Sequence, residues 1–132
     1  MPTRNALRLL IADDDPTALA AYELFFGAHG YETRTTGDGV DALAEYYAWR
    51  PDAVVLDIQM PGLDGHEVAR EIRHLQSVPA PLLVAITALT SPSEQAESNR
   101  SGFDHHFVKP ADLSAVLAAI AASVGHGATD DS

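Results

Sequence analysis

The sequence predicts an open, doubly wound α/β domain built on a five-stranded parallel sheet. Two observations point there. Short apolar runs of strand length alternate with longer segments whose apolar residues recur every three or four positions, the signature of βαβ units. At 132 residues the chain is sized for one domain and is too short for a closed barrel of such units, which needs about 250. No repeat or internal linker interrupts the alternation.

The first strand is expected over Ala6–Ala12, where an apolar run stops at Asp13, Asp14 and Asp15. That run is shorter than a signal-peptide core, so it reads as a buried strand. Asp15 before Pro16 marks a helix start, and Leu19, Tyr22 and Phe26 give the helix one apolar stripe. A second strand over Tyr31–Thr35 precedes a helix whose stripe reads Val40, Leu43, Ala44 and Tyr47. The third strand, Ala53–Asp57, runs through apolar residues straight into a carboxylate. Asp64 and Glu67 form a capping-box pattern for the next helix, with Val68, Ile72 and Leu75 as its stripe. The fourth strand spans Leu82–Thr87. Its helix opens at Ser91, with Pro92 in the first turn and Glu94 as box partner, and Ala96 is almost its only apolar side chain up to Arg100. The fifth strand is expected over Phe103–Val108. Leu113, Val116, Leu117, Ile120 and Val124 mark the clearest helix, and the polar tail at 125–132 reads as frayed.

Composition narrows the function. A formal net charge of −11 and a pI near 4.6 repel phosphate backbones and anionic lipid surfaces while favouring a divalent cation. The absence of cysteine excludes disulfides and thiolate metal sites and fits a reducing compartment. No apolar run is long enough to span a bilayer, and the expected location is the cytoplasm.

In open α/β sheets chemistry gathers at the carboxyl ends of the strands. Asp13 and Asp14 follow the first strand, Asp57 ends the third, Thr87 ends the fourth, and Lys109 closes the fifth before Pro110. Taken singly, several have plainer readings: Asp15 as a helix cap, Thr87 as a β-former, Lys109 as a surface lysine. Asp13 and Asp14 do not, because adjacent like charges are costly without a cation or lysine to compensate them. A hard, oxygen-seeking ion such as Mg²⁺ suits two such carboxylates. Asp57 facing that ion could act as a nucleophile towards a phosphoryl group, with Lys109 and the ion stabilising charge and Thr87 adding a hydroxyl donor.

The stretches LLIADDDP, VVLDIQMPGLDG, AITAL and GFDHHFVKP, taken together and in this order, resemble the receiver domain of two-component response regulators over residues 6 to 124. The resemblance implies a CheY-like fold with strand order 2-1-3-4-5 and a receiver domain over residues 1–124. It implies that Asp57 accepts phosphate from a histidine kinase or histidine phosphotransfer protein. Asp13 and Asp14, with Asp57 and the backbone carbonyl of Gln59, would then hold Mg²⁺. Lys109 would pair with the acceptor carboxylate or its phosphoryl group, Thr87 would move towards the phosphoryl oxygens, and catalysis would be limited to the chain's own phosphorylation and dephosphorylation. His106 stands where many receivers carry an aromatic switch residue, three positions before the lysine. His105 and His106 do not form a metal pair, since adjacent strand residues face opposite ways.

GFDHHFVKP looks most like the receivers of hybrid histidine kinases. The sequence holds no DNA-binding segment, so output is expected through protein contact or onward phosphoryl transfer, without direct nucleic-acid or membrane binding. Two rivals differ in class. Asp13, Asp15 and Thr17 also fit the D-x-D-x-T spacing of haloacid-dehalogenase-like phosphatases, with Asp13 as nucleophile and Asp15 as acid, but that reading leaves Asp57 unexplained. The other is a pseudo-receiver, a binding module that never takes phosphate.

Overall fold

The computed structural model describes residues 6–88 and 91–124. The elements run β1 (Arg8–Ala12), α1 (Pro16–Ala28), β2 (Glu32–Thr36), α2 (Gly39–Trp49), β3 (Ala53–Asp57), α3 (Gly65–His74), β4 (Leu82–Thr87), α4 (Pro92–Ser101), β5 (His105–Val108) and α5 (Leu113–Val124). The strands form one parallel sheet in the order β2-β1-β3-β4-β5, as the family resemblance implied.

Alternation along the strands divides the core in two. Leu9, Ile11, Ala53, Val55, Val84 and Ile86 meet Tyr22 and Phe26 of α1 and Val116 and Ile120 of α5. Leu10, Val54, Leu56 and Leu83 face the other way, onto Ala42, Tyr46 and Trp49 of α2 and Val68 and Ile72 of α3. The central strands β3 and β4 are buried along their whole length, which is why they read as unbroken apolar runs. The edge strand β2 is polar, and its Arg34 pairs with Glu45 and lies over the Trp49 ring at 4.7 Å.

Caps follow the sequence closely. Asp15 Oδ1 accepts the Thr17 N–H at 2.9 Å, Asp64 and Glu67 form the reciprocal box, and Ser91 Oγ accepts the Glu94 N–H at 3.2 Å. The expected box at Ser91 is only half made, because the Glu94 carboxylate turns towards His66 instead of back to the Ser91 N–H. Several expectations need correction. β1 begins at Arg8 rather than Ala6, and β2 is displaced by one residue. β5 begins at His105 because Gly102 ends α4 in the left-handed region, Phe103 turns into the core, and Asp104 caps the Leu83 N–H at 2.9 Å. The α2 stripe is out of phase: Val40 and Tyr47 are exposed, while Ala42, Tyr46 and Trp49 are buried. Two apolar stripes compete on that helix, and the one carrying the larger Trp49 ring wins the interior. Leu75 lies past the last turn of α3 and is exposed. The tail at 125–132 lies outside the described residues.

Candidate functional site at the carboxyl edge of the sheet

Four strands deliver the predicted side chains to one edge. β1 ends beside Asp13, β3 ends in Asp57, β4 ends in Thr87, and the Lys109 N–H bonds the Thr87 carbonyl at 2.8 Å as β5 finishes. Asp13, Asp57 and Thr87 are all buried, and Asp14 is exposed at the rim. One carboxylate oxygen from each of Asp13, Asp14 and Asp57 lies within 4.8 Å of the others.

Lys109 Nζ donates to Asp57 Oδ2 at 2.9 Å and to Asp13 Oδ2 at 3.1 Å. Backbone groups orient both carboxylates: the Gln59 N–H donates to Asp57 Oδ1 at 3.1 Å, and the Asp15 N–H donates to Asp13 Oδ1 at 2.9 Å. Burial pushes the Asp57 carboxyl above the usual range, the Lys109 hydrogen bond pulls it down, and the Asp13 charge pushes it up again, with the rise prevailing. Burial alone would lower the Lys109 ammonium, but hydrogen bonds to Asp57 and Asp13 outweigh that and hold it well above the lysine range. The two shifts fit one picture. One cation serves two buried carboxylates, and Asp14 adds a third, so the cluster carries excess negative charge. Clustered hard oxygens with uncompensated charge fit a divalent cation.

His106 projects to the α3 side of the sheet, where its Nε2 is buried without a hydrogen bond. Burial lowers its imidazole from the usual range, and the charge of His66 lowers it further. His105 faces the opposite way, its Nε2 lying 3.4 Å from Ser123 Oγ on α5, and Phe107 shares that side. Gln59 is exposed and lines a cleft with Asp14, His66 and Glu94. Asp15 spends a carboxylate oxygen capping α1, away from the acid role the phosphatase reading requires.

Sequence reasoning missed two groups. His66 is buried between α3 and α4, and its signal was its position three residues before the buried Ala69. Arg73 ties α3 to the turn before β5 by donating to the Gly102 and Pro81 carbonyls and to Asp104, a long-range set that local spacing does not reveal.

The family model for the response regulator receiver domain matches residues 9–121. Among curated proteins, response regulator MprA of Mycobacterium leprae is 38% identical over 125 residues, covering 95% of this chain and 54% of that protein. DNA-binding response regulator MtrA of Mycolicibacterium smegmatis is 35% identical over 103 residues, covering 78% of this chain and 44% of that protein. The chain thus spans about half the length of these curated relatives. A CheY-like receiver domain protein from Methanospirillum hungatei superposes with a TM-score of 0.84 at 24% identity, covering 90% of this chain and 94% of that one, a likeness of fold.

Proposed function

Because this chain belongs to the response regulator receiver domain family, we propose that it takes a phosphoryl group on Asp57 from a phosphohistidine of a kinase or phosphotransfer protein. The observation that carries this reading is the Lys109 ammonium shared by Asp57 and Asp13 at the strand ends. An Asp57 oxygen attacks phosphorus, the P–N bond of the donor breaks, and its electron pair returns to the departing imidazole. Lys109 offsets charge on the transferring oxygens, and the Gln59 N–H holds the carboxylate in place. Mg²⁺, held by Asp13, Asp14, Asp57 and the backbone carbonyl of Gln59, would supply further charge neutralisation there. Thr87 and His106 serve as the switch: the Thr87 hydroxyl turns to the phosphoryl group, and His106 fills the space it leaves. Residues 1–124 make up this receiver unit. No helix among the described residues is long and apolar enough to cross a membrane, and in a two-component pathway the receiver meets its donor in the cytoplasm.

Output passes by protein contact or by onward phosphoryl transfer. The charge argument against nucleic acid applies to the residues in hand, whereas the relative MtrA is a DNA-binding regulator about half of which this chain spans. DNA-directed output through further sequence is therefore compatible with this reading. Incubation with acetyl phosphate and Mg²⁺, followed by intact-mass measurement, is expected to add one phosphoryl group that disappears in Asp57→Asn. A label that persists in Asp57→Asn and disappears in Asp13→Asn would overturn the assignment in favour of the phosphatase reading. No label on the native chain would make it a binding module.

A further inference from the structure

His66 lies in the seam between α3 and α4, one residue after the point where α3 rests on the end of β3. A side-chain carbon on Gly65 would sit 2.7 Å from the Asp57 carbonyl oxygen, so nothing separates this helix start from the strand. Only 6% of His66 is exposed. Its Nδ1 lies 3.0 Å from Ser101 Oγ on α4. The Ser101 hydroxyl already donates its single hydrogen to the Glu97 carbonyl at 2.8 Å and accepts from Arg70 at 3.1 Å. A hydroxyl has one hydrogen and two lone pairs, so the remaining lone pair must accept, and His66 Nδ1 must donate. The neutral ring therefore carries its proton on Nδ1, and Nε2 is a bare lone pair.

That lone pair is buried, makes no hydrogen bond, and faces the Glu94 carboxylate of α4 with Oε1 at 3.7 Å. Two acceptors confront each other across the seam. We propose that a proton taken up at His66 Nε2 clasps α4 to α3 through Glu94, so that acidity tightens this helix and alkalinity releases it.

The other charges around the ring divide. Glu97 favours the imidazolium, while Arg70 on α3, Arg100 on α4 and His106 on β5 oppose it. Glu97 is shared by Arg70 and Arg100, each at 2.9 Å; of the other carboxylates lining the cleft, Asp64 caps α3 and Asp14 belongs to the cluster at the sheet edge, and Glu94 is the one paired with the ring. Only two α4 residues, Ser98 and Ser101, are fully buried, so polar contacts to α3 such as the Arg70–Glu97 pair carry much of the docking, and a further ion pair adds to them. The sign is fixed by the pair: the stabilised species is the charged imidazole, so the clasp is present at low pH and lost as pH rises. If Asp57 is phosphorylated as proposed above, the clasp opposes any movement of α4 that phosphorylation demands.

The test uses the unphosphorylated chain without Mg²⁺, so it stands apart from the Asp57 experiment. Protection factors of the α4 amides, corrected for intrinsic exchange, are expected to rise about two- to fivefold between about pH 8 and pH 5.5, the range of a partly exposed ion pair. In Glu94→Gln the amide can donate through its NH2 to Nε2 of the neutral ring and accept through its oxygen from Nε2–H of the imidazolium, so that slope is expected to vanish. In His66→Phe it is expected to vanish as well. Ring ¹⁵N shifts at high pH are expected to place the proton on Nδ1. A flat native profile, an unchanged slope in Glu94→Gln, or a neutral ring protonated at Nε2 would each overturn the proposal.

Discussion

Lys109 Nζ stands 2.9 Å from Asp57 Oδ2 and 3.1 Å from Asp13 Oδ2, so a single ammonium from the last strand joins carboxylates from the first and third. Removing it leaves two buried anions facing each other. Lys109→Ala is expected to cost about 2 kcal/mol at neutral pH, less than a fully buried pair because the lysine is partly exposed. The deficit should shrink at about pH 4, as the Asp57 carboxyl, raised by burial, takes up a proton. Urea denaturation at both pH values measures this, and an equal deficit at both would refute it.

Asp57 presents the complementary case. Its folded carboxyl lies above the reference of 3.8, so above that pH the ionised form is less favoured in the fold than in the unfolded chain. Neutralising it should stabilise the metal-free protein. Asp57→Asn in EDTA is expected to raise Tm by about 4 °C, corresponding to about 1 kcal/mol of relieved desolvation and, behind it, repulsion from Asp13, in a domain of this size. Mg²⁺ should raise the Tm of the native chain and do so less in Asp57→Asn and Asp14→Ala, because binding only the folded state stabilises it. A lower metal-free Tm in Asp57→Asn, or the same Mg²⁺ response in all three proteins, would contradict this.

His106 has its imidazole lowered first by burial and then by the charge of His66. Below the reference of 6.5 the unfolded chain takes up a proton that the fold resists, so this residue makes stability fall as pH drops from that value towards the lower folded one. His106→Phe is expected to flatten the dependence of Tm on pH in that window. With beryllofluoride on Asp57 as a phosphoryl mimic, at constant Mg²⁺, the His106 titration by NMR should move lower still as the ring turns inward. An unchanged or higher midpoint would remove His106 from the switch.

The α4 amides are expected to exchange faster than those of α5 at neutral pH. The two residues α4 buries are serines, whereas α5 buries Val116 and Ile120 and packs Leu113 and Leu117 beside them. Hydrogen-exchange mass spectrometry compares the two directly, and equal protection would count against the packing argument.

The site was legible because its residues stand at strand ends, where a carboxylate after AVVL or a lysine before proline breaks an apolar run. β3 and β4 were legible end to end, since burial on both faces writes the element into its composition. What was not legible depends on partners far along the chain. The phase of α2 was decided by the interior it packs on, and Arg73 acts 29 residues away at Gly102. The His66 contact with Ser101 spans 35 residues, and nothing local announces it.

The polar edge strand β2 has a consequence for how copies of this chain meet. Glu32 and Arg34 are exposed along the outer margin of the sheet, Arg34 anchored by Glu45 and Trp49, and the opposite margin is the four-residue β5. Charged side chains on one border and a short strand on the other discourage a further strand from annealing to either. Growth of the sheet into a fibrillar aggregate is thereby disfavoured at both borders.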